Sequence, residues 1–251
     1  MRQLVTVVMP VYNGEAFIAE AIESVIAQTY PHWELIVVDD GSTDSTSSIV
    51  AAFNDRRIRY TYQENQGLAA ARNTGIRIAQ GDYLAFLDTD DKWTPRFLEQ
   101  SLIALSTNQS LAAVYAQTYL IDESGAVLPR VFGRIVSPER LRNELLKGGI
   151  FPPLVVLVRA DVVKEVGLVD TTLAGMGMED WDLWLRISER YVMQGIPLPL
   201  AYYRVHPDGM STNAASMHAC RISALTKHFG PPTGDPATWP EEKRRTYGFA
   251  Y

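Results

Sequence analysis

The chain has 251 residues, 47% hydrophobic and 21% charged, an ordinary composition for a globular protein with one large core or two small ones. A formal net charge of -6 argues against nucleic acid as the main partner, and the single cysteine, Cys220, excludes an intramolecular disulfide and fits a reducing compartment. The apolar run ending at Met9 is too short for a signal-peptide core, and no stretch reaches the roughly 18 apolar residues of a transmembrane helix; the expectation is a soluble, cytoplasmic protein, compatible with peripheral docking on the inner face of a membrane.

Taken in order, Leu4 to Met9 reads as a buried strand ended by Pro10, and Asn13-Gly14 turns the chain into a helix with Phe17, Ile18, Ala21, Ile22, Val25 and Ile26 at helical spacing. The pattern repeats: strand Glu34 to Val38, polar turn Asp39 to Asp44, helix from about Ser45 to Phe53, strand Ile58 to Tyr62, helix Gly67 to Ala79 and strand Tyr83 to Leu87. Alternating β and α elements with apolar strands predict a mostly parallel sheet covered on both faces, a Rossmann-like half over residues 1–91.

Beyond it, Thr94-Pro95 starts a helix to about Leu105. Leu111 to Ala116 and Tyr119 to Val127 read as neighbouring strands, joined or ended by a turn at Glu123 to Gly125. Ser137-Pro138 starts a helix that turns Leu141, Leu145 and Leu146 inward. Leu154 to Val158 is a strand, and Val162 to Val166 a short helix stopped by Gly167. A Gly- and Met-rich loop over 170–178 precedes an amphipathic helix, Glu179 to Arg190; strand Pro199 to Arg204 and helix Ser211 to Phe229 follow. The tail over 230–251, rich in Pro and charge without a period, is expected to be irregular.

Chemistry-bearing residues gather where strands end, the place at which open α/β sheets bind ligands. Asp88, Asp90 and Asp91 follow strand Tyr83 to Leu87. Their mutual repulsion calls for a cation or hydrogen-bond donors, and all-oxygen ligands suit Mg²⁺ or Mn²⁺ beside nucleotide phosphates; the alternative is a helix cap. The loop Pro10-Val11-Tyr12-Asn13-Gly14 can present free N–H groups to phosphate and stack Tyr12 on a nucleobase, or can simply be an Asn-Gly turn. In Asp39-Asp40-Gly41-Ser42 a carboxylate can accept from a base N–H or a ribose hydroxyl, against an Asx turn that needs no ligand. Arg72, among small residues, can reach a phosphate or base or be a surface cation. Glu179 and Asp180 suit either a general base presented after a glycine-containing loop or a favourable helix dipole. His206, after the last strand, suits either a structural role or a nitrogen ligand that completes a divalent site.

No Gly-x-Gly-x-x-Gly follows the first strand, and there is no Gly-Lys-Ser/Thr phosphate loop and no Gly-x-Ser-x-Gly turn, which disfavours dinucleotide oxidoreductases, P-loop ATPases and serine hydrolases. In their order, the segments Val7 to Gly14, Val37 to Asp44, Gly67 to Gly75, Phe86 to Asp91, Glu179 to Arg186 and Tyr203 to His206 resemble the family 2 glycosyltransferases of the GT-A fold. The resemblance implies a single GT-A domain over 1–229, with a mostly parallel but mixed central sheet flanked by helices, a nucleotide-sugar-binding half at 1–91 and an acceptor half at 92–229. It implies a donor held by Pro10, Tyr12, Asp40, Arg72, Asp88 and Asp90. Asp88-Thr89-Asp90 corresponds to the family's DXD motif, with Asp90, Asp88 and His206 around Mn²⁺ or Mg²⁺. It further implies Asp180 as the base, with Glu179 beside it, in an inverting transfer from a nucleotide-diphosphate sugar to a hydroxyl of a glycan, a lipid-linked acceptor or a cell-surface polysaccharide precursor. Two rivals are a non-catalytic sugar-nucleotide or glycan-binding module and a sugar nucleotidylyltransferase; the latter is disfavoured because Pro10 to Gly14 carries no Lys or Arg for a triphosphate.

Overall fold

The computed structural model describes residues 3–173, 178–206 and 214–248. The first half alternates strands β1 (Val5–Val11), β2 (Trp33–Asp40), β3 (Ile58–Gln63) and β4 (Tyr83–Phe86) with helices α1 (Ile18–Ile26), α2 (Thr46–Ala51) and α3 (Leu68–Ile78). These four strands lie parallel in the order β3-β2-β1-β4, and every residue of β1 and β2 is buried, which is why both read as unbroken apolar runs. Helix α3 packs so close on β1 that a Cβ at Gly75 would stand 2.4 Å from Val8 Cγ1; glycine there permits the contact.

The sheet continues through short β5 (Lys92–Trp93), β6 (Leu111–Ile121), β7 (Val127–Phe132), β8 (Val156–Arg159) and β9 (Val192–Arg204). Its full order is β3-β2-β1-β4-β8-β6-β9-β5, with β7 on β6, and β8 runs antiparallel to both β4 and β6, so the sheet is mixed as expected. Helices α4 (Phe97–Ser106), α5 (Pro138–Lys147), α6 (Ala160–Val166), α7 (Glu179–Ser188), α8 (Ala214–Phe229) and α9 (Glu241–Gly248) complete the described chain.

Four expectations are corrected. Pro10 does not end the first strand but sits inside β1 opposite Val38; past Val8, β1 has no ladder partner on β4, so a residue without an N–H is tolerated. The two strands expected over 111–127 are one strand, β6, because Gln117 and Thr118 satisfy their polar groups on the carbonyls of Gly133 and Tyr119; the turn at Asp122 to Ala126 leads instead to β7. Strand β9 begins at Val192, and Pro197 falls where the register on β6 slips from Tyr115 opposite Gly195 to Gln117 opposite Pro199. The tail is not irregular throughout: α9 follows Pro240 and buries Tyr247, whose hydroxyl donates to the Gly230 carbonyl at 2.9 Å. The 174–177 part of the Gly- and Met-rich loop and the 211–213 start of the last predicted helix lie outside the described residues.

Candidate active site

The carboxyl ends of β1, β2 and β4 deliver the predicted segments to one edge of the sheet. The loop after β1 is fastened to the loop after β2: the N–H groups of Asn13, Gly14 and Glu15 donate to Ser42 Oγ, Thr46 Oγ1 and Asp44 Oδ2, each at 2.9 Å. This corrects the expectation of free N–H groups for phosphate, since these three are already satisfied by side chains. Asn13 adopts a φ of 51°, a left-handed conformation that Asn tolerates, while Tyr12 beside it is exposed and Pro10 is buried.

Asp40 is buried and accepts from Gln63 Nε2 at 2.7 Å, Gln66 N at 2.9 Å and Gly67 N at 2.7 Å, so it ties β2 to the start of α3. A carboxylate has about four acceptor positions, and three are taken here. Asp39 accepts from Ser42 N at 2.8 Å and from the Tyr60 hydroxyl.

Arg72 is not a surface cation. Its side chain is 3% exposed, and its guanidinium bridges the two halves: Nη2 donates to Asp88 at 2.8 and 3.1 Å, and Nη1 to Glu179 at 2.6 Å. Arg72 Nε and Glu179 Oε2 are both buried without a protein partner. Orphaned polar atoms in such a place are costly unless a ligand or water meets them.

Asp180, next along α7, lies partly exposed to a cavity of about 440 Å³ that Arg72, Asp88 and Glu179 also line. Burial, and then the neighbouring Glu179 carboxylate, push the Asp180 carboxyl up to about 7, with Arg72 opposing them. The same cavity is also lined by aromatic side chains, Phe132, Phe151, Trp181, Trp184 and Tyr203. The reading of Glu179 to Arg190 as an amphipathic helix did not foresee this lining; the signal was Trp181 and Trp184, three apart and hence on one side of a helix.

Asp182 does not belong to this cavity. It is fully buried and paired with Arg186, Lys227 and His228 at 2.9 to 3.0 Å, which holds its carboxyl far below the usual range. It joins α7 to the end of α8.

Asp90 and His206 come together from β4 and β9, with His206 Nε2 3.2 Å from Asp90 Oδ2. Burial, and next the Asp88 charge, raise the Asp90 carboxyl. A carboxylate whose charge is disfavoured in this way, facing an imidazole nitrogen, suits a divalent cation, and Mg²⁺ or Mn²⁺ needs only one or two protein oxygens beside a substrate's phosphates. Asp88 instead spends both oxygens on Arg72, and among the described residues no three carboxylate, imidazole or thiol groups converge as a metal cluster. Asp91 is buried and accepts from Arg204 N at 2.8 Å. Arg204, seen in the sequence only as a strand end, also donates to the Asp90 carbonyl at 2.7 Å and to Glu20 at 3.0 Å, and so fixes the acidic turn.

A model of the family described as "Glycosyl transferase family 2" matches residues 6–167. The putative teichuronic acid biosynthesis glycosyltransferase TuaG of Bacillus subtilis is 34% identical over 217 residues, 84% of this chain and 83% of that protein. The Escherichia coli UDP-Glc:alpha-D-GlcNAc-diphosphoundecaprenol beta-1,3-glucosyltransferase WfgD is 35% identical over 214 residues, 84% and 80% of the two chains. Among solved structures, S. aureus TarS 1-349 in complex with UDP-GlcNAc superposes with a TM-score of 0.71 at 17% identity, covering 99% of this chain and 70% of that one. The mannosyltransferase PcManGT from Pyrobaculum calidifontis, in complex with GDP-Man and Mn2+, also gives 0.71, at 22% identity and covering 98% and 70%. No described helix is long and apolar enough to cross a membrane. With the family model covering most of the chain and these relatives aligned across it, the protein belongs to the family 2 glycosyltransferases and has the GT-A fold.

Proposed function

We propose that this glycosyltransferase moves a sugar from a nucleoside-diphosphate sugar to an acceptor hydroxyl in one inverting displacement, with Asp180 as the general base. One observation carries the reading: a carboxylate held near pH 7 borders a cavity with an aromatic wall, next to residues that connect it to the acidic turn after β4. A base with that affinity for protons is half-charged at neutral pH and can accept the hydroxyl proton as the oxygen attacks. Aromatic faces suit the apolar faces of a sugar ring. Arg72 holds Asp88 and Glu179 in fixed positions, so the donor and acceptor sides are oriented by one guanidinium.

On the donor side, Tyr12 offers an exposed ring for the base, Pro10 shapes the end of β1, and Asp40 keeps one acceptor position beyond those used to set α3. Asp90 and His206 would hold the divalent ion, Mn²⁺ or Mg²⁺, with Asp88 beside them. When bound, such an ion supplies positive charge that offsets the charge of the departing diphosphate. The relative acting on a diphosphoundecaprenol-linked sugar and the neighbours holding UDP-GlcNAc or GDP-Man support this class of donor and a glycan or lipid-linked acceptor.

The test is a screen of nucleotide sugars with Mn²⁺ for released nucleoside diphosphate, with and without glycan acceptors. Release that depends on acceptor and on Asp180 supports the reading. Nucleotide-sugar binding without release under any condition overturns it.

A further inference from the structure

Two arginines of different character line the cavity beside Asp180. Arg72 is paired with Asp88 and Glu179. Arg130, on β7, is an exposed cation with no carboxylate oxygen of a described residue within 4.0 Å. Strand alternation explains its direction: Arg130 and Phe132 share the face that lines the cavity, while Val127 and Val131 lie on the other face of β7 and are exposed. Phe132 packs at 6.4 Å between ring centroids against Tyr203, which places the foot of β7 against the same aromatic wall.

An acceptor that delivers a hydroxyl to Asp180 and rests its ring on this wall must extend its remaining part along the cavity. A guanidinium with unused donors matches phosphate or carboxylate oxygens through paired charge-assisted hydrogen bonds. We propose that the acceptor carries an anionic group, a phosphate ester or a carboxylate, and that Arg130 reads it and selects such acceptors over neutral ones. The proposal rests on the glycosyltransferase reading above. A charged residue on an edge strand also guards against strand pairing, and the experiment must separate that task from recognition.

The full chain would be titrated with three probes, followed by intrinsic tryptophan fluorescence, to which Trp181 and Trp184 in the cavity lining contribute, and by turnover: an alkyl diphosphate ester of N-acetylglucosamine, the neutral alkyl glycoside of the same sugar, and an alkyl glucuronide. Arg130→Gln is expected to weaken one anionic probe about 10-fold or more, mainly in KM, and to leave the neutral probe and acceptor-free donor hydrolysis unchanged. Arg130→Lys should retain part of the preference. The probe that loses affinity identifies phosphate or carboxylate as the group read. Equal weakening of all three probes, no weakening of any, or wild-type protein that binds neither anionic probe more tightly than the neutral one overturns the proposal. Increased aggregation with unchanged probe preference assigns Arg130 to edge protection and also overturns it. Failure of the glycosyltransferase reading is distinguishable, because it shows as no donor turnover whatever the probe contrast.

Discussion

Arg72 Nη1 and Glu179 Oε1 stand 2.6 Å apart, both side chains almost wholly excluded from solvent, although 107 positions separate them in the chain. The pair joins the first helix-and-strand half to the start of α7. Removing one partner of a buried ion pair leaves an uncompensated charge, so Arg72→Ala is expected to destabilise the protein by about 3–5 kcal/mol. Urea unfolding measures this, and a loss below about 1 kcal/mol would show that the pair is not what holds the halves in register.

Asp180→Asn keeps the size of the side chain and much of its hydrogen bonding but cannot take a proton. Donor affinity should survive while turnover falls about 10²-fold or more. A role limited to starting α7 predicts near wild-type rates instead, since losing one dipole-facing charge costs only about 0.3–1 kcal/mol. Kinetics with an identified acceptor separate the two.

The pH profile follows from the same group. Asp180 acts as a base only when deprotonated, and its carboxyl sits at about 7, so kcat/KM should rise as pH increases through that value and fall away below it. The stability contribution has the opposite sign. The folded state holds the Asp180 proton more tightly than the unfolded chain does, so this group's contribution declines as pH rises from the ordinary carboxylate range through about 7. An acidic limb that stays in place in the residual activity of Asp180→Asn would assign the base elsewhere.

Asp90→Ala should abolish metal-dependent nucleotide binding and leave the fold intact, because it removes a charge that burial and Asp88 already disfavour. His206→Ala should weaken Mn²⁺ activation less, since a neutral nitrogen contributes less to a hard cation than a carboxylate does. Calorimetry of nucleoside diphosphate with and without Mn²⁺ checks the first, and an Mn²⁺ activation curve the second. Identical curves for wild type and His206→Ala would make that histidine structural.

Much of the donor half was legible because its elements are local. Strands such as Val7 to Met9 and Leu35 to Val38 are buried on both faces and read as apolar runs, and the turns between them carry Asp, Gly and Asn for backbone reasons. Where the sequence was misread, the deciding contacts were distant. Gln117 and Thr118 look like a strand end until Gly133 supplies a carbonyl for the glutamine, and the apolar residues Trp239 and Tyr247 have no period until they meet each other and the end of α8.

The order of acidic and aromatic segments determined the family and the residues worth watching, because each motif sits at a strand or helix end whose position the local pattern sets. What Arg72, Asp88 and Asp40 do there was decided by tertiary structure alone. A guanidinium read as solvent-facing or ligand-facing is enclosed by two carboxylates from separate elements, and Asp40 is largely occupied by Gln63, Gln66 and Gly67. Sequence spacing carries no information on such pairings, since their energy comes from desolvation and from partners brought together only when the sheet closes around them.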